Sequence, residues 1–189
     1  MHDVPIFDRV APLYDLVAPG TDGQPLADGL ALAERQVEDV VDLGGGTGRA
    51  ARAIDHRPVV FDASEGMLQR ARNHQLEAVR GDARHLPFPD ESLDAMISVD
   101  AVHHFPAIPT VVEDVFRTLD TGGAFVVREF DPETIRGLGL RVWQHVIGFD
   151  CTFYTPEGLR AVFEDAGFEV TVLEDGFVYT VVGVKPGNS

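Results

Sequence analysis

The chain has 189 residues, enough for one well-buried core, and its 31 acidic residues against 15 lysines and arginines leave a formal net charge of -16. This is the reverse of the basic patch that neutralises phosphates, so no nucleic-acid partner is expected; adaptation to high salt, which screens self-repulsion, is the favoured reading of the acidity. No apolar run reaches the roughly eighteen residues of a membrane span, and acids and a proline stand near the N-terminus where a signal peptide would be basic and then apolar, so a cytoplasmic protein is expected. The single cysteine, Cys151, excludes an intrachain disulfide and reads as a small buried hydrophobe.

Taken in chain order, Ile6 to Val17 places Phe7, Val10, Leu13, Tyr14 and Val17 on one helical face, and a Pro/Gly-rich bend from Pro19 to Pro25 leads to a second helix over Leu26 to Gln36. Strand one is Asp39 to Leu43, and a helix is predicted to begin near Thr47. Strand two is Pro58 to Phe61; Ser64 is a natural N-cap for a helix running to about Asn73. Leu76 to Arg80 and Leu93 to Val99 follow as strands three and four, with a helix from Thr110 to Leu119 behind them. Gly122 and Gly123 turn the chain into strand five, Ala124 to Phe130. A helical insertion mixes apolar and aromatic residues with Arg136, Arg141 and His145; Thr155-Pro156 then opens a last helix that Gly167 closes. Phe168 to Leu173 and Phe177 to Val184, joined by a short polar link, end the chain as an antiparallel pair.

Strands alternating with helices imply an α/β, Rossmann-like, seven-stranded and mostly parallel sheet, with helices on both faces and a C-terminal antiparallel strand pair. One domain is expected: an N-terminal helical cap over 1–37, a cofactor-binding core over 38–131, a lid insertion over 132–154, and the closing helix and strand pair over 155–189.

The chemistry concentrates in VVDLGGGTGRA, Val40 to Ala50, where four glycines fall in five positions directly after a strand. A strand running into glycines brings a ligand against backbone N–H groups. A dinucleotide fold wants Gly-x-Gly-x-x-Gly, but from Gly44 and Gly46 the third position falls on Arg49; the chain reads Gly44-x-Gly46-x-Gly48 instead. Asp62, just after strand two, is placed to accept two hydrogen bonds from a ribose diol.

DLGGGTGR resembles the first motif of class I S-adenosylmethionine-dependent methyltransferases, and FDASEGML (Phe61 to Leu68) the segment that carries their ribose-binding acid. GDARHLPFPDESLDAMIS (Gly81 to Ser98) is similar to their adenine-holding stretch, and RTLDTGG (Arg117 to Gly123) to the turn before strand five. With FDRVAPLYD near the N-terminus, the chain looks most like the UbiE-like group of ubiquinone and menaquinone biosynthesis, although Asp120 and Thr121 stand where that group usually has Lys-Pro.

The resemblance implies S-adenosylmethionine as cofactor and a small-molecule methyl acceptor, with a quinol-type ring carbon or oxygen as one case. It assigns Gly44, Gly46 and Thr47 to the methionine half and ribose, and Asp62 to the ribose hydroxyls. Ala63 and Met67 go to the adenine face, Asp82 and the Ala83 amide to the adenine edge, the backbone of Ser98 and Val99 to the ammonium, and Tyr14 to the carboxylate. His103 and His104 follow strand four, where the transferred methyl should point, and His103 is the expected base should the nucleophile carry a proton. His103, His104, Glu129, Asp131 and His145 are too scattered to be read as a metal cluster, so no metal is expected. Trp143, His145 and Tyr154 belong to the lid. A nicotinamide-dependent oxidoreductase and a non-catalytic S-adenosylmethionine-binding module are the competing readings.

Overall fold

The computed structural model describes residues 4–17, 20–139, 151–174 and 176–187. After α1 (Val4–Val17) and α2 (Gln24–Leu30) come β1 (Val40–Leu43), β2 (Val59–Asp62), α3 (Glu65–Asn73), β3 (Ala78–Arg80) and β4 (Leu93–Val99). A 3₁₀ turn (Val102–His104), α4 (Ile108–Thr118) and β5 (Leu119–Phe130) follow, and α5 (Pro156–Asp165), β6 (Glu169–Glu174) and β7 (Val178–Val184) close the chain. The strands form one sheet in the order β3-β2-β1-β4-β5-β7-β6. Every pairing is parallel except those of β7 with β5 and with β6.

Strand periodicity sorts the core into two layers. In β4, Met96 faces one side with Phe125 and Val127 of β5, against Ile108, Val111 and Val115 of α4 and Leu159 and Phe163 of α5. Its neighbours Ala95 and Ile97 face the other side with Ala124 and Val126, against Leu26 and Leu30 of α2. On β2, Val60 meets Leu68 and Ala71 of α3 while Phe61 joins the opposite layer. Strands buried on both faces explain why these segments read as continuous apolar runs.

The order reverses between β1 and β4, whose successors run to opposite edges, so a crevice opens at their carboxyl ends. Gly44, Gly45 and Gly46 leave β1 on one side of it, and Asp100 and Ala101 leave β4 on the other.

Several local expectations change. No regular helix begins at Thr47: residues 47–53 form successive turns, with Arg52 N donating to Gly48 O at 3.1 Å and Ala53 N to Ala50 O at 2.9 Å. Positive φ at Gly44, Gly46 and Gly48 delays any right-handed helix, and the buried Asp42 carboxylate captures Ala51 N at 3.1 Å. The helix read over Leu26 to Gln36 stops at Leu30. Beyond it the backbone tightens to i−3 bonds, Glu34 N donates to Gly122 O at 2.8 Å, and Arg35 pairs with Asp94 (2.8 Å) and Asp120 (2.5 Å). β5 includes the expected glycine turn, because Leu119 pairs with Leu93 before the register slips and resumes at Ala124 opposite Ala95. Both N-caps hold: Ser64 Oγ accepts from Met67 N at 3.2 Å, and Thr155 Oγ1 from Gly158 N at 3.1 Å. The lid residues Trp143 and His145 lie outside the described residues.

Candidate active site

The crevice is a cleft of about 840 Å³, its open mouth included, and Tyr14, Gly44, Gly46, Asp62, Ala63, Met67, Ala83 and Val99 line it. Its floor is the glycine turn. A Cβ on Gly44 would stand 2.7 Å from the Phe105 ring and one on Gly48 2.1 Å from Leu76 Cδ1, so these two glycines answer to packing as well as to positive φ. Gly46 has nothing within 4 Å of its Cβ position among the described residues, so the space beside it is open to the cleft.

Asp62 ends β2 with its carboxylate spread across two backbone amides, accepting from Gly46 N (3.0 Å) and Ser64 N (2.8 Å). It thereby ties the glycine turn to the start of α3, and burial holds its pKa above the ordinary value against the pull of those amides. Each carboxylate oxygen retains acceptor capacity for a diol.

Four expected residues stand outside the cleft lining. Thr47 is buried in the turn. Ser98 is buried in β4, its Oγ donating to Leu43 O at 2.8 Å, so its contribution is to couple β4 to β1. Asp82 is held by Arg84, whose Nη2 donates to Oδ2 at 2.6 Å, and that bond lowers its pKa to about 2. The adjoining Gly81 and Ala83 are the residues that reach the cleft. His103 points the other way, into a small pocket with Glu129, Phe130, Phe153, Tyr154 and Tyr179, and its Nδ1 lies 2.9 Å from Glu129 Oε2. Of the two histidines, it is His104 that lines the cleft. The two rings stay in contact, their centres 4.2 Å apart, but only His104 borders the cleft.

The structure adds residues to which sequence reasoning gave no role. Asp42 is fully buried and borders the cleft; Oδ2 accepts from Ala51 N, while Oδ1 has no hydrogen-bond partner among the described residues. Burial pushes its pKa up to about 7, and the nearby Asp62 adds to the rise. An acid closing an otherwise apolar strand was the available signal. Arg49 enters the cleft with its guanidinium 5.4 Å from the Tyr14 ring centre and 3.7 Å from Asp100, placing a cation and a phenol together at one end.

α1 forms a wall of the cleft through Val4, Phe7 and Tyr14. Asp8 fastens it to α3: Oδ1 accepts from Ser64 Oγ at 2.6 Å and from Gly66 N at 2.8 Å. Those hydrogen bonds, Ser64 first, hold the Asp8 carboxyl below its ordinary value.

Residues 41–127 match the family described as a methyltransferase domain. The chain is 28% identical to the demethylmenaquinone methyltransferase of Thermotoga maritima, over 99% of this chain and 96% of that protein. It is 33% identical to the sterol 24-C-methyltransferase erg6 of Aspergillus fumigatus over 72% of this chain, yet spans only 41% of that protein's length. Among solved structures, a SAM-dependent methyltransferase of Thermotoga maritima shares the fold at a TM-score of 0.79 and 23% identity, covering 96% of this chain and 99% of that one. A Haloferax volcanii methyltransferase, solved in complex with the activator Trm112, gives a TM-score of 0.74 at 27% identity, over 96% of this chain and 98% of that one. With the glycine turn, the acid after β2 and the crevice at the reversal of strand order, these likenesses identify residues 41–127 as a methyltransferase domain, on the fold of the S-adenosylmethionine-dependent methyltransferases.

Proposed function

We propose that this chain methylates a small, ring-bearing and largely apolar acceptor, a quinol carbon or oxygen being the first to test. The observation that carries the reading is the make-up of one cleft, lined by the glycine turn and Asp62 together with the rings of Phe7, His104 and Phe105. The near full-length likeness to a demethylmenaquinone methyltransferase supports the quinol.

The residues present suit the cofactor. Gly46 leaves room for it, and the buried Asp42 oxygen that has no partner among the described residues is an acceptor for a cationic group. In this reading Asp62 holds the ribose diol, Ala63 and Met67 flank the adenine, the Ala83 amide meets its edge, and Val99 adjoins the methionine end. Arg49 and Tyr14 face the carboxylate. Bound S-adenosylmethionine supplies a transferable methyl on a cationic sulfur. The protein's part is alignment in a water-poor cleft, which contributes ~7–11 kcal/mol toward the barrier of such reactions. His104, at the cleft wall, replaces His103 as the side chain placed to meet an acceptor proton. We infer a cytoplasmic protein acting without nucleic acid: no helix among the described residues is long and apolar enough to cross a membrane, and the net charge of -16 disfavours phosphate backbones.

Calorimetry with S-adenosylhomocysteine and with NADH tests the cofactor; tight NADH binding without the sulfur ligand would end this reading. Release of S-adenosylhomocysteine is then followed with reduced naphthoquinones, with and without a Trm112-type activator. Quinol-dependent release is expected. Cofactor binding with no release under either condition would favour the non-catalytic module.

A further inference from the structure

His103 and His104 occupy the 3₁₀ turn after β4, and Cys151 lies 47 residues beyond His104, where the described chain resumes. The fold joins them: Thr152 N donates to His103 O at 2.9 Å. Cys151 is half-buried rather than fully buried as its sequence suggested, with Sγ 3.4 Å from His104 Nδ1. One ring nitrogen from each histidine and this sulfur all lie within 4.8 Å of one another. In a tetrahedral site with bonds of ~2.0–2.3 Å, neighbouring ligand atoms stand ~3.3–3.7 Å apart. The sulfur-to-His104 edge, 3.4 Å, therefore already has the required length, and the other two, none longer than 4.8 Å, need to close by at most ~1.5 Å.

An independent observation comes from Glu129. It lies in the next strand with one oxygen on Val102 N (2.8 Å) and the other on His103 Nδ1 (2.9 Å). A fixed, buried carboxylate on Nδ1 orients the imidazole and makes Nε2 the basic nitrogen, the arrangement that metal-binding histidines commonly carry. His104 also lines the cofactor cleft, so a group held by this triangle would sit at the wall of the acceptor space.

We propose that His103, His104 and Cys151 form a three-ligand site for a thiophilic divalent cation, zinc by its ligand set, with a fourth position open to the cleft. Two imidazoles and a thiolate suit zinc and disfavour magnesium or calcium, which take oxygen ligands. The Cys151 thiol loses its proton to solvent when the metal binds. An oxygen or sulfur of the acceptor would take the open position; a hydroxyl bound there would lose its proton to water, with His104 then serving as ligand in place of proton acceptor. Metal binding stands independently of the methyltransferase reading; only what occupies the fourth position rests on it.

The test uses the full chain, stripped with chelator, dialysed against zinc sulfate and desalted, with metal and protein measured together. One equivalent of zinc is expected. Cobalt substitution should produce a thiolate-to-metal charge-transfer band that Cys151→Ser abolishes, while His104→Ala lowers zinc affinity at least tenfold. Glu129→Gln should weaken zinc binding ~10–100-fold by releasing the His103 ring. Circular dichroism and thermal unfolding, measured in parallel, show that the variants are folded, and S-adenosylhomocysteine affinity tests the cofactor reading separately. Substoichiometric zinc in the wild type, or full zinc in folded Cys151→Ser and His104→Ala, overturns the site. Turnover unaffected by complete removal of bound zinc overturns the open position.

Discussion

Replacing Asp42 by Asn is expected to make the ligand-free protein more stable. Asp42 is fully buried, and its pKa rises from 3.8 to about 7, mainly through burial. In the unfolded chain the acid ionises near pH 4. Between that value and about 7 the folded protein therefore holds more protons than the unfolded one, and stability falls as pH rises through this window. The shift of roughly three pKa units corresponds to ~4 kcal/mol, fully forfeited above pH 7. Asparagine cannot ionise, and its carbonyl can keep the bond from Ala51 N. Chemical denaturation should find Asp42→Asn ~2–4 kcal/mol more stable than the wild type at pH 8, the difference shrinking toward zero near pH 4. The same variant should bind S-adenosylmethionine more weakly, because the cleft loses the charge that meets a cation. Near pH 6.5 the wild type should release a proton on binding, seen as a buffer-dependent calorimetric heat that Asp42→Asn lacks. A stability difference that is absent at pH 8, or that does not vary with pH, refutes the reasoning.

Asp62→Ala should weaken S-adenosylhomocysteine binding by ~1.5–3 kcal/mol, about ten- to 150-fold in Kd. Unchanged affinity in a folded variant would place the ribose elsewhere. Two glycines of the floor should fail differently. Gly48→Ala, driven into Leu76 at positive φ, should cost ~1–3 kcal/mol of stability by denaturant titration. Gly46→Ala, with open space around it, should cost less stability but more cofactor affinity. Equal stability losses would show that backbone conformation alone governs both sites.

The architecture was legible because each layer left its own trace. The run from Leu93 to Val99 forms β4 with those same ends, and Ser64 and Thr155 cap the helices assigned to them. β6 and β7 pair antiparallel, as the short polar link read between them in the sequence implied. What escaped depends on partners far along the chain. Whether α2 continues past Leu30 is decided by Asp94, Asp120 and Gly122, and whether a helix starts at Thr47 is decided by the Asp42 carboxylate. In the site, the glycine spacing pointed to the floor, but nothing local separates His103 from His104. Glu129 does so by claiming the first for the interior. Asp82 looked available for adenine, yet Arg84 two residues on occupies its carboxylate.

The pair of bonds from Asp8 has a kinetic meaning. α1 contributes Val4, Phe7 and Tyr14 to the cleft, and Asp8 pins it to α3 through Ser64 and Gly66. If spent cofactor leaves past α1, opening these bonds adds to the barrier for its release while leaving the contacts inside the cleft untouched. Each 1.4 kcal/mol so added lengthens the residence time about tenfold. On that route a carboxylate on the outer surface, besides the chemistry within, bears on how long the cofactor stays bound.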